Sequence, residues 1–133
     1  MRALAAGARV ARLGTVNRAG AVDLVPVTFA LAEDELVTAV DHKPKRSTRL
    51  VRLDNVRRDP RVTVLVDHYD DEWSTLWWVR IRGRATVIDP GDERHVAAVA
   101  PLVAKYAQYR DHPPAGAAMV VSVDEWRGWS ALG

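Results

Sequence analysis

Residues 61–69 and 75–88, RVTVLVDHY and TLWWVRIRGRATVI, decide how this chain is read. In the first, Val62, Val64, Val66 and His68 fall on one face of an extended strand, and Thr63, Leu65, Asp67 and Tyr69 on the other. In the second, Val79 and Ile81 alternate with Arg80 and Arg82, and Gly83 predicts a bend or bulge. Asp70-Asp71-Glu72 gives a solvated turn between the two strands.

Upstream, Ala11–Val16 and Ala21–Leu31 are β-prone runs joined by Asn17-Arg18-Ala19-Gly20, which predicts a hairpin. Pro26 lacks a backbone N–H, so its place between valines marks a bulge or an unpaired edge where backbone groups could meet a ligand. Glu33-Asp34 predicts a tight turn and Glu35–Asp41 a third strand. Residues 3–10 read as a short Ala-rich helical turn or a loose segment, Gly7 arguing against a long helix. Downstream, Pro90-Gly91-Asp92 opens a helix running to about Ala100, which Pro101 kinks or interrupts before Leu102–Tyr109 continue. His112-Pro113-Pro114 is a loop, Ala117–Val123 a last strand, and residues 124–130 a tail. The order β-β-β-α-β-β-α-β lacks regular βα alternation, so the chain reads as mainly β, α+β or a small barrel.

The 133 residues predict one domain spanning 1–133, and a composition 48% hydrophobic and 27% charged is that of a globular chain. With no cysteine, disulfides, thiolate catalysis and Cys-ligated metals are excluded. Apolar runs fall short of the ~20 residues of a membrane helix. The start MRALAAGARVARL lacks the apolar core of a signal peptide, so a cytoplasmic location is expected.

Charge is concentrated in one place. From Lys43 to Arg58 lie Lys43, Lys45, Arg46, Arg49, Arg52, Arg57 and Arg58 against the single acid Asp54, on a chain whose formal net charge is +2. Lys43-Pro44 is extended, Ser47 or Thr48 is an N-cap candidate, and Leu50, Leu53 and Val56 form one apolar helix stripe ended by Asp59-Pro60. Arg46, Arg49 and Arg52 repeat the same spacing on a neighbouring face. Three readings are open: an anionic small molecule held by Lys45, Arg46 and Arg49 at a helix N-terminus, a solvated basic helix face, or nucleic acid. The last is disfavoured because no aromatic residue interleaves the patch.

Five tryptophans are a second signal. Trp73, Trp77 and Trp78 cluster, and Trp77 and Trp78, adjacent on a strand, point to opposite faces. Trp126 and Trp129 in the expected tail call for a partner subunit or a bound ring to cover them. His42, His68, His95 and His112 are scattered without metal-ligand spacing, so no metal site is expected. Dinucleotide, P-loop and nucleophile-elbow motifs are absent, and neighbouring Asp67 and His68 face opposite ways. No side chain stands out as catalytic; an enzyme of this kind needs a cofactor for the hard chemistry.

The runs LVPVTFA (24–30), TAVDHKPKRSTRL (38–50), LDNVRRDPRVTVLVDHYDDEW (53–73), LWWVRIRGRATV (76–87) and EWRGWS (125–130) resemble flavin and deazaflavin oxidoreductases of the split β-barrel fold. That superfamily is related to pyridoxamine-phosphate oxidase, and within it the chain looks most like the actinobacterial coenzyme F420 branch. The resemblance implies a six-to-seven-stranded antiparallel split barrel with short flanking helices, acting as a homodimer with cofactor at the subunit interface. It places Pro26, Val27 and Thr28 beside the deazaflavin ring. Lys45, Arg46 and Arg49, assisted by Lys43, would take the phosphate and glutamate tail. Trp77, Trp78, Trp126 and Trp129 would come from the dimer contact. The implied reaction is hydride transfer from reduced coenzyme F420 to a small electron-poor organic acceptor, without nucleic acid or membrane. The alternatives are an FMN-dependent oxidase or reductase and a non-catalytic F420-, flavin- or haem-binding protein; six net positive charges exceed what FMN's single phosphate needs.

Overall fold

The alternating runs at 61–69 and 75–88 become central strands of a seven-stranded antiparallel sheet in the computed structural model, which describes residues 1–40 and 48–133, with 48–50 by backbone alone. The elements are α1 (Arg2–Gly7), β1 (Ala11–Val16), β2 (Val22–Val27), β3 (Ala30–Ala32), β4 (Glu35–Ala39), α2 (Thr48–Arg58), β5 (Arg61–His68), β6 (Trp77–Ile88), α3 (His95–Lys105), α4 (Ala107–Asp111) and β7 (Ala118–Ser130). Strands lie in the order β2-β1-β5-β6-β7-β4-β3.

That order forces the sheet to curl. The chain leaves β2 at one edge and enters β3 at the opposite edge with only Thr28 and Phe29 between them. Four consecutive Cα atoms span at most about 11 Å, so the two edges face each other across a narrow seam. The result is a split barrel, mostly β with short helices. The expected strand 21–31 is thus two strands, because the backbone changes edges at Thr28-Phe29. Pro26 lies opposite Arg12 on the edge strand β2, where its missing N–H costs no ladder bond on the open side.

The hairpin at Asn17–Gly20 forms as its residues predict. Gly20 takes φ 81°, and the Asn17 side chain accepts from the Ala19 and Ala21 amides at 3.0 and 3.1 Å. Leu13, Phe29, Leu36, Val64, Val66, Val79, Ile81 and Met119 fill the barrel interior, and α2 adds Leu53 and Val56 to the same cluster. Leu50 lies outside the described side chains. Asn55, 2% exposed, fastens α2 to the hairpin: its amide donates to Thr15 Oγ1 and Asp23 Oδ2, both at 3.0 Å, while Arg58 donates to Asn55 Oδ1 and the Val16 carbonyl. These bonds hold the Asp23 carboxyl below its ordinary pKa, Asn55 contributing most and Asn17 next.

Two further expectations need correction. Pro101 does not break its helix: α3 runs through it to Lys105, and the break falls at Tyr106, in extended conformation at φ −108°, ψ 123°. Val99 and Leu102, on the stripe that seats α3, bury on either side of the proline and carry the helix past its lost hydrogen bond. Residues 124–130 are not a tail either. They extend β7, pairing Glu125 with Arg82 and running to Ser130 opposite Trp77, because the first half of β6 would otherwise show an unpaired edge. The bulge expected near Gly83 is present, with Asp124 of β7 as the extra residue. A Cβ at Gly83 would collide with the Ser122 carbonyl oxygen, so the strands approach there as only glycine permits.

The outer face of the sheet divides in two. Over β3, β4 and the adjoining ends of β6 and β7, helices α3 and α4 bury Val37, Ile88, Ala118, Val99, Leu102, Tyr106 and Tyr109. Over β2, β1, β5 and the remaining halves of β6 and β7, no described element covers the sheet. Val22 and Leu24 are there 61% and 68% exposed, and Trp129 47%.

Candidate functional site

At the seam, Pro26, Val27, Thr28, Ala39, Arg52 and Tyr109 line a cavity of about 200 Å³. Arg52 is buried, 7% exposed. Its guanidinium stays charged at any working pH, and a cation withdrawn from water at a cavity wall favours an anionic or strongly dipolar neighbour. In the same lining, Thr28 Oγ1 and the Tyr109 hydroxyl share a hydrogen bond of 2.8 Å.

The break between α3 and α4 aims two tyrosines at consecutive residues of the crossover. The Tyr106 hydroxyl lies 2.9 and 3.0 Å from the Arg9 and Phe29 carbonyl oxygens and accepts from the Phe29 N–H at 3.1 Å. Lys105 Nζ donates to the same Phe29 carbonyl at 2.9 Å and lies 3.9 Å from the centre of the Phe29 ring. Desolvation, with the nearby Arg9 charge, lowers the Lys105 pKa to about 8, and desolvation raises that of Tyr106.

A second feature lies on the uncovered outer face. Leu65, Leu76, Trp77, Trp78, Arg80 and Trp129 line a hollow of about 360 Å³. It exists because Trp78 pairs in register with Trp129, while the Arg80 guanidinium, two residues on, lies 5.5 Å from the Trp78 ring centre. Trp77 packs mainly against the interior cluster, as opposite facing requires. Trp126 also packs inward, opposite Ile81, with the Arg2 guanidinium of α1 5.3 Å from its ring.

Among the residues expected to bind a cofactor, Pro26, Val27 and Thr28 come together at the seam, and Trp77 and Trp78 come together in the outer hollow with Trp129. One chain does not merge these two places, and Trp126 lines neither. Lys43, Lys45 and Arg46 lie outside the described residues. Arg49 is in the first turn of α2, its side chain likewise outside them. Arg52 and Tyr109 were missed as site residues. The three-residue spacing of the arginines contained Arg52 but gave no sign that it turns inward, and nothing around Tyr109 signals its contact with Thr28, 81 positions away.

Chemically, the seam offers a cation, two hydroxyls and strand-end backbone for a polar, anionic ligand edge, and the hollow offers apolar and aromatic walls for a planar ring. Among the described residues no three His, Asp or Glu side chains gather to hold a metal ion. No described helix is long and apolar enough to cross a membrane.

The sequence profile of the pyridoxamine 5'-phosphate oxidase family matches residues 1–130. The chain belongs to that family. Solved structures agree on the fold. A conserved hypothetical protein of Mycobacterium tuberculosis superposes with TM-score 0.76 at 19% identity, covering 98% of this chain and 82% of its own. An FAD-binding protein of Mesorhizobium loti gives 0.72 at 17% identity, covering 96% of this chain and 89% of its own. A heme-binding protein of Mycobacterium smegmatis gives 0.75 at 20% identity, covering 99% of this chain and 53% of its own. No curated protein matches the sequence.

Proposed function

We propose that this member of the pyridoxamine 5'-phosphate oxidase family is a coenzyme F420-dependent oxidoreductase that reduces a small electron-poor organic acceptor. The observation that carries this reading is the seam cavity, lined by Pro26, Val27 and Thr28 together with the buried Arg52, on the helix that follows the basic segment from Lys43. A volume of about 200 Å³ admits one end of a deazaflavin rather than the whole, and a longer anionic tail suits Lys43, Lys45, Arg46 and Arg49 better than a single phosphate does.

The chain's residues fit such a group without supplying a catalytic acid or nucleophile. Pro26, Val27 and Thr28 would present strand-end backbone to its pyrimidine edge, and Arg52 would balance negative charge there. When bound, the reduced deazaflavin supplies the hydride. The protein's share of the rate would come from holding donor and acceptor in line. A second copy of the chain, packed on the uncovered outer face, would bring Trp78 and Trp129 to the ligand of its partner. This reading unites the two places that one chain keeps apart.

A second reading is binding of FMN or haem without turnover. The FAD-binding and heme-binding names of two solved relatives favour it. Tryptophan-quench titrations with coenzyme F420, FMN and haem separate the readings. F420 binding at least tenfold tighter than FMN, with oxidation of reduced F420 by a quinone, enone or nitro compound, is expected. Preference for FMN moves the chemistry to the flavins, and haem binding with no turnover on any acceptor removes the enzyme assignment.

A further inference from the structure

The crossover Thr28-Phe29 is the strip of backbone joining the two edges of the barrel, and side chains of the α3–α4 junction hold both of its residues. Their roles differ. Phe29 is fully buried, and Tyr106 and Lys105 grip its backbone from the covered side, a contact that serves packing. Tyr109 and Thr28 instead meet side chain to side chain at the wall of the seam cavity, with Pro26, Val27 and Arg52. Threonine χ1 has few rotamers, so fixing Oγ1 fixes the whole side chain and, with it, how the last turnless residues of β2 face the cavity.

We propose that the Tyr109 hydroxyl, through its hydrogen bond to Thr28 Oγ1, is a positioning residue of the seam cavity and tunes affinity for the planar anionic ligand that binds there. The inference rests on the cofactor reading above and adds a helix α4 residue to the site. It also gives the interrupted helix a purpose. Were α3 to continue unbroken through Tyr106, the two tyrosines would keep a fixed helical offset, whereas the extended Tyr106 lets them contact consecutive crossover residues, 106 to 29 and 109 to 28, with their rings edge to face at 5.5 Å.

A double-mutant cycle on the full chain tests this. Tyr109→Phe, Thr28→Val and the double variant are titrated with coenzyme F420 and FMN, with thermal unfolding recorded for each, and Thr28→Ser is the conservative control. One lost neutral hydrogen bond corresponds to about a fivefold change in affinity. Each single variant is therefore expected to bind about fivefold more weakly, and the double variant about fivefold rather than 25-fold. Thr28→Ser, which keeps the hydroxyl, is expected to bind as the natural chain does. If Tyr109→Phe does not fold, Thr28→Val against Thr28→Ser decides by the same fivefold contrast. Independent, multiplying losses would mean that each hydroxyl meets the ligand itself, and unchanged affinity in Tyr109→Phe would leave the pair structural. Either result overturns the positioning role while the cofactor reading stands. Failure of the natural chain to bind either cofactor would overturn both.

Discussion

The two halves of the outer sheet face have different fates in one molecule. Under α3 and α4 the outward residues are small or aliphatic, Ala30, Val37, Ala39, Ala118 and Val120, as a surface must be where helices lie flat on it. On the uncovered half the outward residues are Val22, Leu24, Leu65, Trp78 and Trp129 interleaved with Arg12, Arg61, Arg82 and Arg84, several paired with acids: Arg12 with Asp67 at 3.3 Å, Arg82 with Glu125 at 3.6 Å. Such a mixture is too polar for a core yet leaves large apolar side chains open, a surface that a second copy of the chain would suit. One half is closed by the chain's own helices, and the proposed function assigns the other to a second copy of the chain.

The comparison breaks most sharply at Leu102, 0% exposed under α3. Leu102→Ala should lower the unfolding free energy by about 2–5 kcal/mol in denaturant titration and leave association, followed by sedimentation velocity, unchanged. Leu24→Asp with Leu65→Asp should do the reverse: association weakened at least thirtyfold, with circular dichroism and the ligand-free fold retained. A doubly substituted chain that still sediments as the natural one does would remove the interface role. Gly83 sits where β7 passes from the covered half to the uncovered half. Gly83→Ala should cost about 1–3 kcal/mol through the clash with Ser122, and a smaller loss would show that the bulge at Asp124 adapts.

The smallest effect concerns Lys105, in the covered half. Its folded pKa of about 8 is below the ordinary 10.5, so between these values the folded chain has shed a proton that the unfolded chain still holds. Stability should therefore rise as pH climbs from about 8 to 10.5, and the gain should be lost as pH falls back through 8. The facing groups are Arg9, whose charge opposes protonation, Tyr106 and the Phe29 carbonyl. Lys105→Met should flatten this part of the pH profile of the melting temperature.

Much of the fold was legible because local rules and global structure agree. Val62, Val64 and Val66 alternate and are buried, Asn17–Gly20 carries its own turn chemistry, and Asp59-Pro60 ends α2 where proline must. The misreadings came where distant contacts overrule local preference. Pro101 is a helix breaker by sequence, but the apolar seat of α3 outweighs one missing bond, and the break at Tyr106 is set by contacts to Arg9 and Phe29. Residues 124–130 hold a glycine and mixed charges that suggest a tail, and only the length of β6 requires them to be a strand. Of the candidate site, the open edge at Pro26 was readable from the proline itself, while Val27 and Thr28 came from the family resemblance. Arg52 and Tyr109 were not, because inward arginines and hydroxyl pairs leave no periodic trace.

The narrow seam has a consequence for how the barrel is built. Strand β4 pairs locally with β3 but finds its second partner in the distant β7, with Leu36 opposite Val121, and β1 must wait for β5, with Leu13 opposite Val64. As the chain emerges during synthesis, the hairpins β1–β2 and β3–β4 and the pair β5–β6 can close early from local contacts, but the β3–β4 hairpin cannot join the rest of the sheet until β7 is made. High contact order slows such closure. The interval in which the aliphatic ELVTA stretch of β4 is exposed is when aggregation is most dangerous to this chain.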